Sequence, residues 1–118
     1  MEEFNFSAKV VKGLGRGKTL GFPTANLDAV GIGLDYGVYL VEIGVGGKKY
    51  NGLLFFGKKQ TFGEPVSMEV FIKEFNGDIY GETVAVRVVK KVREIKKFDN
   101  PEELQKQIAR DISENFSI

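Results

Sequence analysis

The chain has 118 residues, 42% hydrophobic and 28% charged, which suits a single soluble globular domain with a workable core. Its formal net charge is +1, so no strong overall field points to nucleic acid or an anionic membrane. It contains neither cysteine nor histidine, which excludes disulfides, thiolate chemistry, cysteine metal sites and the commonest general base, and leaves carboxylates, hydroxyls, amines, guanidinium groups, backbone or a hard metal ion. No apolar run approaches a membrane span and no signal peptide precedes the first strand, so a cytoplasmic protein is expected.

Phe4, Phe6, Ala8 and Val10 alternate with other residues and predict a first strand. Residues 13–27 then break the pattern with Gly13, Gly15, Gly17 and Gly21, interleaved with Arg16 and Lys18. Glycines let backbone N–H groups turn toward an anion, and the cations add charge beside them. Thr24 and Asn26 follow, two apart, so an extended chain would point both oxygen donors the same way. Such a set suits a phosphate carrying Mg²⁺. It is not a Walker A loop: Lys12 stands where that motif needs its first glycine, and Gly21 and Pro23 oppose the helix that must follow. On the glycines alone, a nucleotide loop and a plain turn stand about equal.

Residues 28–36 read as a loop. Val38 to Val45 form a β-branched apolar run, Gly46-Gly47 signals a hairpin, and Tyr50 to Phe56 is the returning strand. Gly57 to Pro65 is turn-like. Val66, Met68, Val70 and Ile72 alternate with Ser67, Glu69, Phe71 and Lys73. Asn76-Gly77-Asp78 marks a turn, and Val84, Val86, Val88 and Val92 belong to a long strand ending in a basic run. From Pro101 to about Asn115 the pattern becomes helical. Asp99 or Asn100 can cap the helix, Glu102 and Glu103 suit its first turn, and Leu104, Ile108, Ile112 and Phe116 form an apolar stripe that covers the sheet. Five or six short strands and one terminal helix predict a mainly β fold, a small antiparallel barrel.

Two features beyond the glycine stretch could carry chemistry. Glu69 lies within a strand, between Met68 and Val70; it is either part of an ordinary polar face or, with no histidine present, the natural general base. Residues 87–97 hold Arg87, Lys90, Lys91, Arg93, Lys96 and Lys97 against Glu94. This run is a lysine-protected edge, a nucleic-acid surface, or a site for a small anionic or planar ligand with Phe98 for stacking. The near-zero net charge and lack of interleaved aromatics weigh against nucleic acid.

Gly-Arg-Gly-Lys, Leu-Gly-Phe and Pro23-Thr24-Ala25-Asn26 together resemble the signature of the riboflavin kinases. Gly37-Val38-Tyr39, Gly57 through Phe62, Met68-Glu69-Val70, Phe75 through Gly81, Arg93 through Phe98 and the terminal helix resemble further segments of that family in the same order. The resemblance is to the C-terminal kinase domain of bifunctional riboflavin kinase/FAD synthetases and spans residues 1–118. It implies a six-stranded antiparallel Greek-key barrel with a C-terminal helix, and transfer of the ATP γ-phosphoryl group to the ribityl 5′-hydroxyl of riboflavin, giving FMN and ADP. It implies Glu69 as the catalytic base and Gly13, Lys18, Thr24 and Tyr80 on the nucleotide. Thr24 and Asn26 would hold Mg²⁺ or another divalent cation such as Zn²⁺ or Mn²⁺, with Arg93, Lys96 and Phe98 at the flavin. A monomer is expected, with no nucleic acid or membrane partner and with FAD synthesis left to another protein. Gln60 and Glu94 stand where the family usually has proline, and Phe71 where it usually has histidine; Glu94 implies a less rigid flavin-side loop. A non-catalytic flavin-binding barrel is the alternative.

Overall fold

The computed structural model describes residues 4–11, 25–28, 33–58, 66–75, 79–94 and 101–115. Six strands appear in chain order: β1 (Phe4–Val11), β2 (Ala25–Asp28), β3 (Gly37–Val45), β4 (Lys48–Lys58), β5 (Val66–Ile72) and β6 (Thr83–Arg93). One helix, α1 (Pro101–Asn115), follows. The strands close into an antiparallel barrel in the order β1-β2-β5-β4-β3-β6. β6 pairs with β1 as far as Val88 and with β3 as far as Arg93, so Arg87 lies between two strands, while Lys90, Lys91 and Arg93 pair with β3 alone among the described residues.

Alternation sets which residues point inward. Ala8, Val10, Leu27, Tyr39, Val41, Ile43, Leu54, Phe56, Met68, Val70, Val84 and Val86 fill the interior as one cluster. The predicted β3–β4 hairpin turns at Gly46 and Gly47, both at positive φ (56° and 84°), as a two-residue turn of that twist requires. β2, four residues long, lies in the stretch where an extended chain was expected but no separate strand was assigned. The strict alternation expected along β6 fails near its end. Register shifts at Val38/Tyr39 and Leu40/Val41 mark bulges against β3, which re-aim the side chains beyond Val88.

Val38 and Leu53 have no exposed surface, yet they lie outside the interior cluster and alternate with its members. They face outward. Within the helix, Ile108 is buried and Ile112 half-buried, as the stripe predicted. The side chain of Leu104 and all of Phe116 lie outside the described residues. Asp111 departs from expectation: on the same helix face, it is buried to 2% exposure. Among the described residues, no helix is long and apolar enough to cross a membrane.

Candidate active site

The register joins distant parts of the sequence in one lateral row. Val11 on β1 pairs with Asn26 on β2. Asn26 pairs with Glu69 on β5. Glu69 pairs with Phe55 on β4, Phe55 with Val38 on β3, and Val38 with Arg93 on β6. The row therefore crosses all six strands. Its flanking residues Leu27, Met68, Val70, Leu54 and Phe56 belong to the interior cluster, so Asn26, Glu69 and Phe55 face outward together. Directly opposed residues in an antiparallel pair have Cα atoms about 4.5–5.5 Å apart, within side-chain reach. Asn26 and Glu69 are both half-buried, a setting that shields a carboxylate partly from water while leaving it accessible.

Asn26 also marks where the glycine-rich segment rejoins the barrel, directly across from Val11, where that segment departs. Tyr80 sits near the same departure point. The Gly81 N–H donates to the Val10 carbonyl at 2.9 Å, and the Val10 N–H donates to the Glu82 carbonyl at 2.9 Å. These bonds fix the Tyr80 turn beside the end of β1, with Tyr80 57% exposed.

At the other end of the row the surface is apolar. Half-buried Phe55 and Phe71 supply it: Phe55 and the fully buried Val38 lie between Glu69 and Arg93 in the row, and Phe71, two residues from Glu69, shares its outward face and pairs with the fully buried Leu53. Arg93 is bound within the protein. Its Nε donates to Asp111 Oδ1 and Oδ2 at 3.0 Å each, and its Nη2 donates to Oδ2 at 2.8 Å. Its Nη1 donates to the Glu94 carbonyl at 3.0 Å. Gln107 Nε2 adds a bond to Asp111 Oδ1 at 2.9 Å. Asp111 is the residue sequence reasoning missed. An aspartate one position before a stripe residue, on the apolar face, was the available signal that a cation must meet it.

Two more cations of the basic run have partners. Arg87 Nη2 meets Glu42 at 2.6 Å, and Lys91 Nζ meets Glu94 at 2.6 Å. The hydrogen bond from Lys91 to Glu94 raises the lysine's pKa above its ordinary value of 10.5. Glu94 is therefore held through both its carbonyl and its carboxylate, which restrains the place where a proline was expected. Gly13, Lys18, Thr24, Gln60, Lys96 and Phe98 lie outside the described residues.

An amide oxygen such as that of Asn26 suits a hard divalent cation that takes most of its ligands from phosphate and water, and the carboxylate opposite it can take a proton. Among the described residues there is no cluster of three carboxylate, histidine or cysteine ligands. A six-stranded barrel that presents an amide and a carboxylate side by side, at the root of a glycine-rich loop, has the makings of a phosphoryl-transfer domain.

Comparison narrows the class. Residues 1–117 match the family model for flavokinase, riboflavin kinase. The chain belongs to the riboflavin kinase family. It is 44% identical over 106 residues to the RNA-binding riboflavin kinase RibR of Bacillus subtilis, covering 88% of this chain and 46% of that protein. It is 40% identical over 114 residues to the bifunctional riboflavin kinase/FMN adenylyltransferase of the same organism, covering 89% of this chain and 35% of that one. The chain thus spans less than half the length of these relatives. The crystal structure of riboflavin kinase from Trypanosoma brucei superposes with a TM-score of 0.59 at 25% identity, over 96% of this chain and 77% of that one.

Proposed function

We propose that residues 1–118 form a riboflavin kinase domain that transfers the ATP γ-phosphoryl group to the ribityl 5′-hydroxyl of riboflavin, giving FMN and ADP. The observation that carries this reading is the pairing of Asn26 with Glu69 on the outer barrel face. Family membership supports the substrates.

In this reading Glu69 accepts the proton of the 5′-hydroxyl as that oxygen bonds to the γ-phosphorus and the bond from γ-phosphorus to the ADP oxygen breaks. Gly13 and Lys18 contact the phosphates, Thr24 and Asn26 hold the cation, and Tyr80 borders the nucleotide. When bound, the cation, Mg²⁺ or a similar divalent ion, offsets negative charge on the phosphates. Half-buried Phe55 and Phe71 lie beside Glu69 on the outer face, an apolar surface that suits a planar flavin ring with its polar tail toward Glu69. Arg93, Lys96 and Phe98 belong to that flavin end. The domain acts as a cytoplasmic monomer.

The test is to incubate the protein with riboflavin, ATP and Mg²⁺ and to separate the flavins. FMN formation dependent on all three supports the kinase. Riboflavin binding without FMN would instead make the chain a flavin-binding barrel that has lost turnover.

A further inference from the structure

We propose that Phe55 decides what the site phosphorylates: it keeps water from Glu69, so that the γ-phosphoryl group goes to the flavin hydroxyl. The inference rests on the kinase reading above and adds a specificity-determining residue to it.

Glu69 has two direct cross-strand neighbours, and they differ in kind. Asn26 on β2 stands on one side and Phe55 on β4 on the other. Both face outward with it, and directly opposed residues have Cα atoms about 4.5–5.5 Å apart. Phe71, two residues along β5, shares that face. It pairs with Leu53, so it stands diagonally from Phe55, at a spacing that aromatic side chains can bridge. Glu69, Phe55 and Phe71 are all half-buried. Behind them Leu54 and Val70 fill the barrel interior at 0% and 1% exposure, so the wall at the back of the carboxylate is packed hydrocarbon.

A carboxylate that can take a proton from a sugar alcohol can also take one from water. The water oxygen would then bond to the γ-phosphorus as the bond to the ADP oxygen breaks, giving ADP and phosphate. An ordered water needs about two to four polar partners. On the β4 side of Glu69 the two phenyl rings supply none. On the β2 side, in the kinase reading, the Asn26 oxygen is taken by the cation. A water beside Glu69 and Phe55 is thus held by little besides the carboxylate. The flavin hydroxyl, in contrast, is carried in by a planar ring that packs on the same phenyl groups. The apolar neighbour therefore favours the tethered alcohol over free water.

The test measures ATP hydrolysis without riboflavin, as phosphate release, beside FMN formation with it. Phe55→Asn places a polar side chain across from Glu69 and gives water a second partner. Its riboflavin-independent hydrolysis should rise by about tenfold or more. Phe55→Leu stays apolar and should raise it far less. Phe55→Thr, polar but well suited to a strand, serves if Phe55→Asn does not fold. Adding Glu69→Gln to the polar variant should abolish the gain, because the extra hydrolysis uses the same carboxylate. Four results overturn this proposal while leaving the kinase reading intact. They are unchanged hydrolysis in a folded polar variant, an equal rise in Phe55→Leu, a rise that survives Glu69→Gln, and a fall in hydrolysis and FMN formation together, as a merely structural role would give. No FMN from the unaltered protein defeats the kinase reading, and this proposal with it.

Discussion

Asn26 and Glu69 occupy directly opposed positions on β2 and β5, both turned away from the barrel interior. An amide that can hold a cation and a carboxylate that can take a proton are thus neighbours, though 43 positions separate them in the chain. Glu69→Gln keeps the side-chain volume and removes the carboxylate proposed as the base. Its kcat should fall by about 10²–10⁴-fold, with riboflavin binding retained. Steady-state kinetics with a flavin-fluorescence titration would check both, and near-normal turnover would remove Glu69 from the reaction.

The same neighbourhood predicts the effect of adding charge. Asn26→Asp would put a second carboxylate opposite Glu69. Like charges directly opposed disfavour ionisation, so protonation of the pair would persist to higher pH. Without saturating Mg²⁺, the acid limb of the pH–rate profile should move upward, and added Mg²⁺ should restore part of the shift. A profile unchanged from that of the parent protein would show that the two side chains do not interact.

The barrel was largely legible in the sequence because alternation directly reports an inward face. Met68, Val70 and Ile72 are buried as their spacing predicts, and the Gly46-Gly47 turn announces its hairpin. The row from Asn26 to Arg93 was not legible, because register depends on pairing between strands far apart in sequence. The motif resemblance named Asn26, Glu69 and Arg93 separately, and only closure of the sheet set them in line. Asp111 was hidden for another reason: one charged residue hardly disturbs a helical stripe, and its partner lies 18 positions earlier, on a strand whose bulges obscure which way Arg93 faces.

Two glycines should differ in what they tolerate. A Cβ at Gly52 would strike the backbone carbonyl oxygen of Phe71, which cannot move without parting β4 from β5. A Cβ at Gly37 would come within 2.6 Å of Lys91 Cε, the flexible end of a side chain, and 3.2 Å of the Arg93 carbonyl oxygen. Overpacking of this kind costs about 1–3 kcal/mol, and the immovable neighbour should set the upper end. Urea unfolding should therefore rank Gly52→Ala as clearly less stable than Gly37→Ala. Equal losses would mean that β4 and β5 can separate locally at little cost.

Tyr39 gives the fold a dependence on alkaline pH. Its ring is buried, and its hydroxyl donates to the Asp35 carbonyl at 2.7 Å. Burial pushes its pKa above the ordinary 10.0; Lys91 opposes that rise, while Asp35 and Glu94 add to it. The folded state thus holds the phenol proton more tightly than the unfolded chain does. The resulting stability is present in full below pH 10 and is lost as pH rises through the raised folded value. Tyr39→Phe should cost about 0.5–1.5 kcal/mol at neutral pH, where the hydrogen bond is lost. Above pH 10 it should lose stability less steeply than the parent, because phenylalanine has no proton to release. Some slope should remain, since the pKa of Lys91 is also raised and its contribution fades in the same direction. Unfolding free energies measured from pH 8 to pH 11 would show the two curves converging; parallel curves would remove Tyr39 as the source.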